Sequence, residues 1–110
     1  MEEMRHRFNN SLLCSAIGDA LGMPIEGLSS DEIKNKYGEV RDYLKPPEEH
    51  QLHHLEPGQY SDDFQQTYMV ANTIRQHYSF EIDEFVKEFT YWGEKNIEEE
   101  KNPRYWWRYP

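Results

Sequence analysis

GQYSDDFQQTYMVANTI, residues 58–74, passes from a turn into a helix. From Asp62 onward Phe64, Tyr68, Ala71 and Ile74 or Arg75 fall on related faces at helical spacing, which predicts a helix over 62–77. Ser61, Asp62 and Asp63 stand at its mouth. A helix N-terminus favours an anion through its free N–H groups and its dipole, and Ser61 alone is enough to cap it. Two adjacent carboxylates raise the energy unless a cation or hydrogen-bond donors relieve them. A hydroxyl with two carboxylates is a set of hard oxygen ligands, suited to Mg²⁺, Ca²⁺ or Mn²⁺ rather than to zinc. Neighbouring side chains at a helix start diverge by about 100°, so the pair suits two ions or a bridge between them. The plainer alternative is an ordinary helix opening, because acids favour the first turn.

The residues before this stretch predict more helix. Phe8, Leu12, Leu13, Ala16, Ile17, Ala20 and Leu21 recur at helical spacing over 3–22. Met23-Pro24 ends that helix, since the residue before proline is pushed out of the helical region. Ser15, Gly18, Asp19 and Gly22 line one side. Each glycine costs a helix about 1 kcal/mol relative to alanine, and close approach of a backbone or ligand is the expected compensation. LSSDEIKNKYG predicts a short second helix, with Ser29 and Glu32 as a capping box and Gly38 as its stop. Residues 39–60 hold Pro46, Pro47, Pro57 and Gly58 and little periodicity, so a long loop is expected there. A fourth helix is predicted over 83–95, with Ile82, Phe85, Val86, Phe89 and Trp92 as its apolar stripe. No strand signal and no repeat interrupts this, so the fold class is all-α.

Composition narrows the function classes. The chain has 110 residues and a formal charge of −9, and no basic stripe marks a nucleic-acid surface. Hydrophobic residues make up 36%, below the usual 45–50% or so, so the core is expected to be thin. The apolar run around Cys14 is broken by Asp19 and preceded by Glu2 and Glu3, which excludes a signal peptide; it is also too short and polar to span a bilayer. One cysteine gives no disulfide framework and fits a reducing compartment. Cys14 is expected to be buried and structural, and a cytoplasmic protein is expected. The histidines of HQLHH, His50, His53 and His54, have a spacing that suits metal binding on a helix, but the prolines on either side favour a solvated loop.

GDALGMPIE at 18–26 adds a second chemical signal. A carboxylate among glycines, Asp19, is costly to bury unless it is bonded or used, and Glu26 follows just after the proline turn. GDALGMPIE, followed at the right separation by GQYSDDFQQTYMVANTI, resembles the ADP-ribosylglycohydrolase family, which includes the dinitrogen-reductase-activating glycohydrolase and the ADP-ribosylarginine and ADP-ribosylserine hydrolases. The two motifs cover about a quarter of the chain. The resemblance implies a compact multi-helix all-α domain with two Mg²⁺ ions, or Mn²⁺, in a cleft. It implies hydrolysis of the bond between ADP-ribose and an acceptor side chain, with an ADP-ribosylated protein or an ADP-ribose-containing small molecule as partner. It implies Ser61, Asp62 and Asp63 as metal ligands, Asp62 also as a catalytic group, Asp19 beside the cleft against the cofactor, and Glu26 as an acid that acts in catalysis or gates the site. The ions would bind ribose hydroxyls and a water while a carboxylate manages the proton.

Two departures from the family pattern stand out. Phe64 replaces the small hydroxyl residue usual after the two aspartates. The downstream G-x-D-x-D-T type of motif, which supplies the remaining ligands, does not occur, and family members are more than twice this length. Residues 1–110 are therefore expected to be a single partial domain, the N-terminal part of a longer or split enzyme, with little activity alone. The aromatic tail PRYWWRYP is expected either to fold back or to be covered by a missing continuation. Phe64 leaves open a non-catalytic relative that keeps the scaffold for binding or structure. A generic acidic helical interaction module explains the charge but not the paired motifs.

Overall fold

The computed structural model describes residues 1–100 and is all-helical, with four α-helices and no strand among the described residues. The chain divides into two compact units, Met1–Phe64 and a second beginning at Gln65. The aromatic tail at 103–110 lies outside the described residues.

In the first unit α1 spans Glu2–Gly22, with Glu2 and Glu3 in its first turn, where carboxylates complement the helix dipole. It passes at Met23 into a short 3₁₀ turn, Met23–Ile25, led by Pro24. Burial is concentrated at this end: Ala20, Met23 and Pro24 are buried, and Leu12, Ala16 and Leu21 are half-buried. Phe8, at 53% exposure, and Leu13, at 60%, are open, which corrects their expected place in the core. Cys14 is exposed as well and is not a buried structural thiol. The physical reason is reach. A helix of this length extends about 30 Å, and the rest of the unit contributes one short helix and irregular chain. A Cβ at Gly18 or Gly22 would meet nothing within 4 Å, so the expected close approach is not made among the described residues.

The second helix, α2, spans Ser30–Tyr37. The Ser29 hydroxyl accepts from the Glu32 N–H at 3.3 Å, and the Glu32 carboxylate accepts from the Ser29 N–H at 2.8 Å, completing the capping box. These same groups hold the Glu32 carboxyl below the usual range. Gly38, at φ 69°, closes the helix in the left-handed region that glycine enters without steric penalty. The irregular chain that follows has its own packing. Leu55 and Pro46 are buried. Lys45 Nζ donates to the Leu55 carbonyl at 2.9 Å and to Glu56 at 2.6 Å, and the ring of Tyr43 lies against Gly58.

Helix α3, Asp62–His77, has the predicted bounds and carries the chain into the second unit. Its buried positions are Met69 and Thr73, one turn apart, while Tyr68 and Ile74 are exposed; the predicted face is rotated. Thr73 buries without penalty because its hydroxyl donates to the Met69 carbonyl at 2.9 Å. Helix α4 spans Ile82–Glu100, five residues beyond its predicted end, because the glutamate-rich run is a good helix former. Its stripe is a run of ring contacts: Phe80 to Phe85 at 5.4 Å, Phe85 to Phe89 at 5.7 Å, and Phe89 to Trp92 at 5.5 Å. Trp92 donates its indole N–H to Gln65 on α3 at 3.0 Å. No helix among the described residues is long and apolar enough to cross a membrane.

Candidate functional site

The last turns of α1 and the first turn of α3 meet through one side chain. Asp19 lies one turn before the end of α1. Its Oδ2 accepts the backbone N–H of Ser61 at 2.8 Å and that of Phe64 at 3.0 Å. Its Oδ1 accepts the Ser61 hydroxyl at 2.7 Å. A carboxylate taken out of water needs such donors, and here it has three. Asp19 thus caps a helix that begins more than forty residues later, the task that the residues alone assigned to Ser61. The Ser61 hydroxyl oxygen lies 3.4 Å from the Asp63 N–H, too long for a strong bond.

Ser61 is buried at 6% exposure, whereas Asp62 and Asp63 are exposed on the first turn of α3. Phe64 is half-buried. Its ring meets that of Tyr60 edge-on at 4.9 Å while its N–H serves Asp19. Glu26 lies exposed just past the 3₁₀ turn and takes no part in the hydrogen-bonded group around Asp19. Of the predicted site residues, Asp19, Ser61 and the start of α3 are brought together; Glu26 is not joined to them. The contribution that sequence reasoning missed is the Phe64 N–H, since a backbone donor leaves no trace in residue identity. The available signal was Asp19 itself, a carboxylate among glycines that needed donors.

The donor set matches a hard divalent cation in kind. Ser61 Oγ has its proton directed to Asp19, which leaves oxygen lone pairs on its other side. The carboxylates of Asp62 and Asp63 flank it in sequence. In number the set supplies about half of an octahedral shell of roughly six oxygens. Among the described residues, no group of three or more His, Cys, Asp or Glu is placed to hold a metal ion.

The histidines of HQLHH are engaged locally. His50 Nδ1 accepts the Leu52 N–H at 2.9 Å, His53 Nδ1 bonds the His50 carbonyl at 2.9 Å, and the rings of His53 and His54 meet edge-on. They lie in successive turns and not on a helix. Burial, then the neighbouring His53 and Lys45, pushes the pKa of His54 below its ordinary value.

The sequence pattern of the ADP-ribosylglycohydrolase family matches residues 1–108. An uncharacterized protein of Archaeoglobus fulgidus is 39% identical over 89 residues, covering 81% of this chain and 28% of that protein. The chain therefore spans less than a third of the length of that relative. No solved structure matches the chain significantly.

Proposed function

Because this chain belongs to the ADP-ribosylglycohydrolase family, we propose that it forms the N-terminal part of a hydrolase cleaving the glycosidic bond between ADP-ribose and a protein side chain. The observation that carries this reading is the start of α3. There the Ser61 hydroxyl, its proton directed inward, immediately precedes two exposed aspartates on the first turn of the helix. Ser61, Asp62 and Asp63 would hold Mg²⁺, with Mn²⁺ as a substitute. When bound, the metal would supply Lewis-acid stabilisation and an activated water. The protein's own part is to fix these oxygens through Asp19 and to accept a proton on a carboxylate, Asp62 in this reading. Glu26, exposed beside the proline turn, would act in catalysis or gating. The remaining ligands would come from chain or partner outside residues 1–110, and the 110-residue chain alone is expected to release little or no ADP-ribose. An intracellular, cytoplasmic setting fits the single cysteine.

Magnesium titration of the chain, followed by NMR, tests the ligand assignment. Ser61→Ala with Asp62→Asn is expected to weaken binding by about tenfold or more, the scale of removing hard-oxygen ligands or their supports. Unchanged affinity would remove the metal from this helix start.

One observation supports a second reading, a non-catalytic relative. Phe64, with its ring against Tyr60, fills the place where the family has a small hydroxyl residue. Folding intact but without ADP-ribose binding would favour it.

A further inference from the structure

We propose that the turns over 47–55 form a pH-sensitive latch: a neutral His50 closes them by accepting the Leu52 N–H on Nδ1, and protonation of that ring opens them. The latch does not depend on the hydrolase reading above.

The first observation is the direction of one bond. The Leu52 N–H can only donate, and it meets His50 Nδ1 at 2.9 Å. Nδ1 must therefore carry a lone pair, which places the proton of the neutral ring on Nε2. A charged imidazole has an N–H on both nitrogens and no acceptor left. Protonation thus sets two donors face to face and leaves the partly buried Leu52 N–H without its acceptor. Histidine is the side chain whose charge ordinarily changes near neutral pH.

The second observation is what the turn seats. The His53 N–H donates to the His50 carbonyl at 3.0 Å, and the Leu55 N–H donates to the Leu52 carbonyl at 2.9 Å. Leu55 is buried at 3% exposure, and its carbonyl accepts from Lys45 Nζ at 2.9 Å. The backbone that His50 fixes at Leu52 is therefore the backbone that brings Leu55 to its buried place.

The third observation is the charge around the rings. Glu49 precedes His50 and favours its charged form, but Glu49 is also paired with Lys36 of α2 at 3.4 Å. His53 Nδ1 donates to the His50 carbonyl, a bond the ring makes in either charge state. His54 meets the His53 ring edge-on, and burial, His53 and Lys45 all disfavour its charged form. Lys45 is itself paired with Glu56 at 2.6 Å. Charging His54 therefore loosens the same turns that charging His50 opens.

His50→Asn separates the bond from the charge. An asparagine side-chain oxygen accepts the N–H two residues on in an Asx turn, and it stays neutral at any working pH. The test is solvent-exchange NMR of the backbone amides at about pH 7.5 and about pH 5.5, on either side of the usual histidine range, corrected for the intrinsic pH dependence of exchange. In the unsubstituted protein the protection of the Leu52, His53 and Leu55 amides is expected to fall about tenfold at the lower pH, the scale of one lost hydrogen bond. The Ile33 and Gly38 amides, bonded within α2, are expected to keep theirs. In His50→Asn the fall at Leu52 is expected to shrink to about twofold or less, the remainder being the share of His54. Unchanged protection in the unsubstituted protein would overturn the proposal, as would a fall in His50→Asn as large as in the unsubstituted protein. Should His50→Asn not fold, the ring nitrogen shifts of His50 in the unsubstituted protein decide. A neutral ring with its proton on Nε2 supports the latch, and one with its proton on Nδ1 contradicts it.

Discussion

Removing the Asp19 carboxylate takes the acceptor from two backbone N–H groups and a buried hydroxyl at once. Leaving partly buried donors unsatisfied costs about 1–3 kcal/mol, so Asp19→Ala is expected to lower stability by that order in urea denaturation, with Asp19→Asn losing less. Equal stability of all three proteins would mean that water replaces the carboxylate freely. His54 gives a residue-level prediction in pH. Burial lowers its pKa in the folded chain relative to the ordinary value of 6.5. The unfolded chain therefore binds the proton more readily, and stability rises with pH across that window. The contribution is present above about pH 6.5 and is lost as pH falls through the lowered folded value. Denaturation at pH 7.5 and 5.5 is expected to show a drop that His54→Gln reduces. At this scale the site was partly legible. Asp19 signals itself because a carboxylate beside glycines must find donors. Its partners include backbone groups, which residue identity does not encode.

Local chemistry marks where helices start and stop, and these boundaries could be read. Helix α1 stops before Pro24, which has no N–H to continue it, although Met23 keeps helical dihedrals at φ −52° and ψ −45° and is not pushed out of the helical region as expected. The Ser29–Glu32 box opens α2, Gly38 closes it, and Asp62–His77 is the predicted α3. Faces were harder. Thr73 counts as polar in any periodic pattern, yet it is buried because its proton goes to Met69 on its own helix. Helix α4 runs past its predicted end because its apolar stripe stops at Trp92 while glutamate propagates helix well. The exit from α3 holds a prediction at the element scale. Tyr78 has φ 58°, a left-handed conformation for a non-glycine residue, and its side chain is 96% exposed. That conformation costs an L-residue about 1–2 kcal/mol. Tyr78→Gly is expected to stabilise the chain by up to about 1 kcal/mol once the greater freedom of unfolded glycine is subtracted. A thermal midpoint that falls on substitution would show that the tyrosine makes a contribution larger than its strain.

Across the whole chain, the fold class was legible because every apolar pattern has the helical period. The distribution of burial was not, because it depends on which surfaces find partners. Phe8 and Leu13 have core-like spacing but stand open, as do Ile82 and Val86 on α4. The acidic balance, −9 overall, suits the binding of divalent cations. In the proposed reading Ser61 and the first two residues of α3 supply about half of the oxygens that an octahedral ion takes, and the remaining ligands come from outside residues 1–110. The most direct measurement is ADP-ribose release from a mono-ADP-ribosylated arginine or serine peptide in Mg²⁺. It would use the protein as its native cells make it, unsubstituted and with Asp62→Asn/Asp63→Asn. The expected result is release by the unsubstituted protein that EDTA stops and the double substitution abolishes. Release that survives the substitution, or none from the unsubstituted protein with either acceptor, would contradict the assignment of the α3 start as the metal-binding half of a hydrolase site.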